Sequence, residues 1–280
     1  MKAEFLIIGA QKAGTTWLLY NLQNHPELCL PSKELHFFSS DENFTKGVEW
    51  YHDQLVSCKE GGRIIGEKTP EYLDVISDKN SKTSKLTHER IFQYNSDIKL
   101  ILIMRNPVDR ALSAIQHMYR SRRVSPSVSI DQLVLGDSVW RAESFGVFNG
   151  GKYYSNILKY LDVFPKEQLL CLFYEDDVKL NYTNGLKKVC NFLDINGDVE
   201  FPKMNERKNY HSNAKLTLLL NYYFPLLKPL NKKLNMILPP YSPNVSSEVK
   251  QYLQDMYRKE VEGLVSLGYT PPQSWHLIRK

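Results

Sequence analysis

Residues 4–17 read Glu-Phe-Leu-Ile-Ile-Gly-Ala-Gln-Lys-Ala-Gly-Thr-Thr-Trp, and this stretch decides the fold class. Its first half is a short, continuous apolar run, typical of a strand buried on both faces of a sheet. A glycine-containing loop follows, and a helical pattern then begins near residue 16. Strand, loop and helix in this order open a parallel α/β unit. The N–H groups at the start of such a helix favour an anion.

Three further apolar runs, at 63–68, 98–104 and 169–174, predict three more strands. Helical stretches alternate with them, which indicates a parallel sheet covered on both faces. We therefore predict an α/β, P-loop-like three-layer fold, with a central parallel β-sheet flanked by helices. The Ser- and Arg-rich 120–150 region suggests an insertion or a mobile crossover.

The last part of the chain is predicted to be a helical C-terminal extension. From residue 205 the pattern is helical with proline breaks, and an amphipathic helix is expected at 246–266. We predict one domain over 1–280. Residues 1–204 would form a nucleotide-binding α/β core, and 205–280 an extension on the acceptor side.

Composition narrows the class of partner. The 280 residues carry 36 Lys+Arg and 31 Asp+Glu, a net charge of +5, with 42% hydrophobic and 24% charged residues. These proportions exclude wholesale disorder. No apolar run approaches the roughly 20 residues that span a bilayer, so no transmembrane segment is expected. The small positive charge suits a small anionic ligand better than nucleic acid, and no nucleic-acid partner is predicted.

The four cysteines stand far apart, without a Cys-x-x-Cys pair. Their spacing predicts free thiols rather than a zinc ribbon or a disulfide framework. Free thiols and a strand pattern that begins at once, without room for a signal peptide, lead us to expect a reducing compartment and a cytoplasmic location.

The loop after the first strand carries a modified phosphate-binding pattern. Gly9 and Gly14 are five apart and Thr16 holds the hydroxyl position, as in G-x-x-x-x-G-K-[ST], but Thr15 stands where the lysine belongs. The lysine lies inside the loop as Lys12. The residue that reaches the β/γ-phosphates of a nucleoside triphosphate is therefore missing. The pattern predicts a phosphate site without triphosphate hydrolysis; the plain alternative is a βα turn that binds nothing.

Several motifs in the same order resemble a known family. Residues 9–17 closely resemble the 5′-phosphosulfate loop of sulfotransferases that use 3′-phosphoadenosine 5′-phosphosulfate (PAPS). Residues 105–113, Arg-Asn-Pro-Val-Asp-Arg-Ala-Leu-Ser, look like that family's 3′-phosphate segment, and residues 174–176, Tyr-Glu-Asp, resemble its element near the adenine. Residues 34–38 and 67–70 are most similar to the heparan-sulfate branch. The matches cover about residues 5–176.

The resemblance implies a PAPS-dependent sulfotransferase (EC 2.8.2 type), with PAPS as co-substrate and 3′-phosphoadenosine 5′-phosphate (PAP) as product. Arg105 and Ser113 would hold the 3′-phosphate, and Tyr174 would contact the adenine. Arg207 and Lys208 are the candidate basic residues that complete this pocket, and Trp17 lines it or belongs to the core. The cofactor-binding residues expected are Lys12, Ala13, Gly14, Thr15, Thr16, Trp17, Arg105, Ser113, Tyr174, Arg207 and Lys208.

Four residues are candidates for the chemistry. Negative charge develops on the leaving phosphate during sulfuryl transfer, and Lys12 with the loop N–H groups would offset it. An acceptor must also lose a proton, which calls for a general base. Glu34 and His36 would project to the same side of an extended segment. The resemblance makes Glu34 the base and places Lys68 beside the sulfonate. His36 is the alternative base, because an unperturbed imidazole titrates at pH ~6.5.

Each catalytic candidate has a plain alternative, which for Lys12 is a solvated lysine in the loop. Glu34 could pair with Lys33, and His36 could be a half-buried histidine without a catalytic role. Lys68 could pair on the surface with Glu67 or Glu71. The seven histidines are scattered without ligand spacing, so no metal is predicted.

Two other functions stay open at this point: a P-loop nucleotide or small-molecule kinase, and a non-catalytic nucleotide-binding protein. For a sulfotransferase, we expect a glycan or a small-molecule acceptor such as a secondary metabolite. A hydroxyl is the predicted nucleophile, with nitrogen left open because a carboxylate base serves both. The oligomeric state is not predicted.

Overall fold

A computed structural model describes residues 2–55, 58, 63–74, 86–201, 213–227, 234–235 and 237–275. The chain forms two compact units. The first comprises Met1–Asn106, Lys152–Lys208 and Glu260–Lys280, and the second comprises Pro107–Gly151 and Asn209–Lys259. Arg207 and Lys208, expected to bind the nucleotide, lie outside the described residues.

The first unit contains a five-stranded, fully parallel sheet with the strand order β2-β3-β1-β4-β5. The strands are β1 Phe5–Gly9, β2 Leu28–Cys29, β3 Ile64–Lys68, β4 Lys99–Met104 and β5 Leu169–Phe173. The four predicted strands are confirmed to within a residue at each end. The two-residue strand β2 was not predicted, because so short a segment has no measurable periodicity.

The α-helices, numbered along the chain, account for most of the remaining regular structure. They are α1 Thr15–Leu22, α2 Asp41–Phe44, α3 Gly47–Gln54, α4 Thr87–Tyr94, α5 Pro107–Arg120, α6 Ile130–Val134, α7 Val139–Ser144, α8 Tyr153–Leu161, α9 Tyr182–Leu193, α10 Lys215–Tyr223 and α11 Ser247–Ser266. Single turns of 3-10 helix lie at Pro70–Leu73, Asn149–Gly151, Lys166–Gln168, Pro225–Leu227 and Gln273–Trp275, and a π-helix at Tyr174–Leu180. The predicted α/β fold, a central parallel sheet with flanking helices, is confirmed, and so is the amphipathic helix near 246–266. None of the helices in the described ranges is both long enough and apolar enough to span a membrane.

The centre of the sheet explains why its strands read as unbroken apolar runs. All five residues of β1 are buried, and β4 is buried from its second residue onward. β1 pairs with β3 on one side and β4 on the other, with Phe5 opposite both Gly66 and Lys99. Gly66 has to lack a side chain, because a Cβ there would lie 2.1 Å from the Phe5 ring. Burial on both faces removes the alternation of polar and apolar residues.

In the second unit, a buried arginine supports the segment expected to be an insertion or crossover. That segment forms α6 and α7, whose apolar residues are buried. Arg110 on α5 is fully buried and donates a hydrogen bond to the Val147 carbonyl. Its guanidinium packs against Gly150, where a Cβ would lie 2.9 Å from Nη1. A buried charge with a carbonyl partner thus ties α5 to the turn before residue 151.

One prediction about the cysteines is wrong. Cys29 and Cys58 form a disulfide, with their Cα atoms 5.5 Å apart, whereas Cys171 and Cys190 are free. The disulfide links the end of β2 to a residue shortly after α3. A separation of 29 residues carries no local signal for pairing; only the return of the chain through β2 and α3 brings the two thiols together.

Candidate active site

The loop between β1 and α1 makes its turn with two residues in left-handed conformations. Lys12 has φ 70° and Gly14 has φ 101°, and the Ala13 N–H closes the turn onto the Ala10 carbonyl at 3.0 Å. No side chain caps the N-terminus of α1, and its first turn contains no acidic residue. The positive end of the helix therefore faces no carboxylate of its own first turn, which suits an anionic ligand.

Arg105 lies directly beside this loop. It follows the last residue of β4, and its Nη1 donates to the Lys12 carbonyl at 3.2 Å. Its guanidinium lies 5.1 Å from the centroid of the Tyr174 ring. The same ring comes so close to Gly14 that a Cβ there would be 3.1 Å from it. The structure thus brings Lys12, Gly14, Arg105 and Tyr174 together at the carboxyl edge of the sheet, where open α/β sheets bind ligands.

Three residues that sequence reasoning missed support Arg105 and Asn106. The Tyr153 hydroxyl accepts from the Arg105 N–H at 3.1 Å and donates to its carbonyl at 2.8 Å. Glu175 accepts from the Asn106 N–H at 3.0 Å and from the Trp275 indole at 2.9 Å. Glu175 belongs to the Tyr-Glu-Asp motif, so its presence near this site could have been predicted from the sequence. Nothing in the local pattern around Tyr153 or Trp275 pointed to this site.

Three of the four catalytic candidates, Glu34, His36 and Lys68, form a second cluster at the end of β3. Lys68 Nζ donates to Glu34 Oε1 in an ion pair; the lysine side chain is 5% exposed and the glutamate 37%. The ring of His36 lies next to the same carboxylate, with Nε2 3.6 Å from Glu34 Oε2. Its Nδ1 is 3.0 Å from Oε2 of Glu71. The ion pair of Lys68 is therefore with Glu34. The plain alternative, a surface pair with Glu67 or Glu71, is not what the structure shows.

A buried polar network explains how the segment 34–37 is held. Thr69 Oγ1 accepts from the N–H groups of Leu35 and His36, at 3.2 and 3.3 Å. Thr69 itself donates to buried Glu67, whose Oε1 also accepts from Leu35 N–H at 3.4 Å. His36 has φ 51°, so the extended conformation expected there is wrong at that residue. The left-handed backbone at His36 carries strain that these hydrogen bonds offset.

The pKa values of two groups in this cluster depart from their ordinary values. The pKa of His36 is raised, chiefly by its hydrogen bond to Glu71, against the opposing effect of burial; the charges of Glu71, Glu34 and Glu67 raise it further. Burial raises the pKa of the Glu67 carboxyl, and hydrogen bonds, that from Thr69 first, offset part of this rise. Perturbed groups of this kind concentrate at functional sites.

The remaining predicted residues fall in different places. Ala13 and Thr15 are buried in the loop and at the start of α1, Thr16 is half-buried, and Trp17 is almost fully buried. Ser113 lies on α5 in the second unit and is half-buried there. Among the described residues, no group of three or more His, Cys, Asp or Glu side chains could hold a metal ion. That no metal takes part stays a prediction.

Comparisons with known proteins identify the family to which this chain belongs. Residues 2–218 match the sulfotransferase domain family. Heparan sulfate glucosamine 3-O-sulfotransferase 5 of Mus musculus is 26% identical over 257 residues, covering 91% of this chain and 70% of its own. Heparan sulfate glucosamine 3-O-sulfotransferase 3A1 of Mus musculus is 29% identical over 267 residues, covering 91% of this chain and 60% of its own. The crystal structure of a sulfotransferase from Alicyclobacillus acidocaldarius superposes with a TM-score of 0.70 at 21% identity, covering 99% of both chains.

The chain belongs to the sulfotransferase domain family, because the match extends over most of its length. It is an enzyme that transfers a sulfuryl group, and the two alternatives, a kinase and a non-catalytic nucleotide-binding protein, are set aside. The co-substrate that this family generally uses is PAPS.

Proposed function

We propose that this sulfotransferase transfers the sulfuryl group of PAPS by in-line displacement to a hydroxyl of a glycan or small-molecule acceptor, with Glu34 as the general base. The observation that carries the proposal is the Lys68–Glu34 ion pair at the end of β3, the strand next to β1. β3 and β1 are neighbours, and Lys68 pairs in register with Ile7, two residues before Gly9, the last residue of β1. The proposed base and the proposed anion site therefore belong to the same edge of the sheet.

The hydrogen-bond donors at this edge fit an adenine nucleotide that carries phosphates on both the 3′ and the 5′ position of its ribose. Lys12 and the N-terminus of α1 offer a cationic, N–H-rich site for the 5′-phosphate. Arg105 supplies a guanidinium for the 3′-phosphate, because a planar guanidinium can donate two parallel hydrogen bonds to one phosphate. The Tyr174 ring, whose centroid lies 5.1 Å from the Arg105 guanidinium, provides a flat surface for the adenine. Ser113 is proposed as a second partner of the 3′-phosphate, and Arg207 and Lys208 as further ones.

When bound, PAPS supplies the sulfuryl group and a phosphate leaving group. Glu34 takes the proton from the acceptor hydroxyl as the bond from its oxygen to sulfur forms. Lys12 and the N–H groups of α1 offset the negative charge that develops on the leaving oxygen, which keeps the electron pair of the broken sulfur–oxygen bond. Lys68 holds one oxygen of Glu34, and we propose that its positive charge offsets negative charge on the reacting group. His36 is the alternative base.

The acceptor is proposed from chemistry and from the relatives together. Both relatives named above are, by name, glucosamine sulfotransferases of heparan sulfate, which favours a glycan. A small-molecule hydroxyl is the second candidate, and a nitrogen acceptor would use the same base. The cytoplasmic location also stays a prediction. The Cys29–Cys58 disulfide weighs against it, because disulfides persist mainly in oxidising compartments.

The test of this function combines binding and turnover. Calorimetry should show binding of PAP in the absence of magnesium; binding of ATP with magnesium but not of PAP would contradict the proposal. With PAPS, a panel of amino sugars, heparan-type oligosaccharides and small alcohols is then screened by mass spectrometry for the gain of one SO₃ group. Glu34→Gln should lower kcat by about 10²–10⁴-fold, the usual contribution of a general base, with unchanged PAP affinity. Glu49→Gln, which alters an exposed carboxylate on α3, is the matched control.

A further inference from the structure

The imidazole of His36 lies between two carboxylates that come from different parts of the chain. Glu34 belongs to the same segment as His36, whereas Glu71 belongs to the 3-10 turn Pro70–Leu73 after β3. The distances are 3.6 Å from Nε2 to Glu34 Oε2 and 3.0 Å from Nδ1 to Glu71 Oε2. Glu71 has no place in the sequence motifs beyond following Thr69-Pro70.

These contacts determine which ring nitrogen carries hydrogen. A carboxylate only accepts hydrogen bonds, so the 3.0 Å contact to Glu71 requires a hydrogen on Nδ1. In the neutral imidazole, Nε2 then has its lone pair free, and this nitrogen faces Glu34. The 3.6 Å separation is longer than a hydrogen bond, so a small approach of the two side chains is needed for proton transfer.

The other charges around the pair leave one oxygen of Glu34 for the histidine. Lys68 occupies Oε1, and Oε2 is the atom that faces His36. Within the part of the chain that the structure describes, the charges of Glu71, Glu34 and Glu67 act on His36, and Lys68 is paired with Glu34. Glu71 is 51% exposed and His36 34%, so this side of the cluster is open to solvent, while Lys68 is enclosed.

We propose that Glu71 is a positioning residue that orients His36 to remove from Glu34 the proton taken from the acceptor. This rests on the proposed function of Glu34. The proton leaves Glu34 Oε2, a bond forms at His36 Nε2, and Glu34 returns to carboxylate. The imidazolium carries the positive charge and Glu71 remains an anion beside it. Release of the Nε2 proton to water restores the neutral ring for the next turnover.

The first experiment measures the titration of His36 by NMR in the resting enzyme, so it does not depend on turnover. The His36 resonance is assigned by its loss in His36→Gln. In Glu71→Gln, the titration midpoint should move to lower pH, because the negative charge and the strong acceptor that stabilise the imidazolium are removed. Glu42→Gln alters an 87% exposed, ion-paired carboxylate on α2 and should leave the midpoint in place. A midpoint unchanged in Glu71→Gln would overturn the proposal.

The second experiment compares this midpoint with the pH dependence of kcat. The rising limb of the profile reports the neutral His36, so it should move to lower pH in Glu71→Gln by the amount seen in NMR. The plateau of kcat should fall about tenfold, with KM unchanged, because the imidazolium loses its partner. Glu71→Asp should restore part of it.

The two failures can be told apart. A kcat limb that stays in place while the NMR midpoint moves would overturn the relay and leave the proposed function intact. Full activity of Glu34→Gln would overturn the proposed function and the relay with it.

Discussion

Lys68, almost fully buried at the end of β3, donates a hydrogen bond to Glu34, which lies on a segment without regular secondary structure. The lysine backbone is fixed by the sheet, where Lys68 is in register with Ile7 of β1. The ion pair therefore ties the position of the proposed base to the central sheet. Removing either partner would leave a partly buried charge without its counter-ion, which costs far more than a surface pair contributes.

Lys12→Ala should lower turnover by more than about tenfold, equivalent to roughly 1.4 kcal/mol of barrier. The left-handed backbone at residue 12 places the lysine in the turn before α1, where it would offset charge on the leaving phosphate. The measurement is kcat with saturating PAPS. Lys159→Ala removes an exposed lysine on α8 and serves as the control. A loss smaller than tenfold would remove Lys12 from the catalytic residues.

Arg105→Ala should weaken binding of PAP by about tenfold or more, as expected for loss of a charge-assisted hydrogen bond to phosphate. Adenosine 5′-phosphate lacks the 3′-phosphate, so its affinity should change much less. Calorimetric titration of both nucleotides gives the comparison. Ser113→Ala should shift PAP binding in the same direction by a smaller factor. An equal loss for both nucleotides would show that Arg105 supports the loop through Lys12 rather than reading the 3′-phosphate.

The free energy of unfolding of Glu67→Gln, relative to that of the wild type, should increase as the pH rises. The pKa of Glu67 in the folded protein is raised above its ordinary value of 4.5, so folding favours the protonated form. This contribution to stability is complete below pH 4.5 and is lost as the pH rises through the raised pKa. Urea unfolding should show that the free energy of unfolding of the wild type, relative to that of Glu67→Gln, is lower at pH 8 than at pH 5. A difference independent of pH would contradict the raised pKa.

The Cys29–Cys58 disulfide should contribute about 3–4 kcal/mol to the free energy of unfolding, from the loop that it closes. Cys29→Ser/Cys58→Ser should lower that free energy by this amount in urea. Thiol titration of the unfolded, unreduced protein should find two of the four cysteines reactive. Unfolding is needed because burial raises the pKa of Cys171 to about 12 and that of Cys190 to about 11. Four reactive thiols would show that the bond is absent.

The parts of the fold that the sequence predicts are those with a local signal. β1 and β4 are continuous apolar runs, so their positions could be predicted, and with them the placement of Lys12 and Arg105 shortly after the two strands. Glu34 and His36 were expected close together, and they are, although the backbone at His36 is left-handed rather than extended. Its conformation depends on Thr69, which lies 33 residues further along the chain.

What could not be predicted depends on contacts distant in sequence. The two residues of the Cys29–Cys58 disulfide are 29 positions apart in the sequence. Tyr153 is 48 positions from Arg105, to whose carbonyl it donates a hydrogen bond. Glu71 is a partner of His36 because of where the 3-10 turn after β3 lies in the folded protein, which the sequence does not reveal. None of these pairs has a fixed spacing that a pattern could register.

The disulfide has a topological consequence for the proposed base. Residues 29–58 form a closed covalent ring, and Glu34 and His36 lie on it, whereas Lys68 and Glu71 lie outside. A single cut by a protease anywhere between residues 30 and 57 would therefore release no fragment. The nicked enzyme would migrate as one chain without reductant and as two with it, so limited proteolysis can open the backbone next to Glu34 while both halves stay attached.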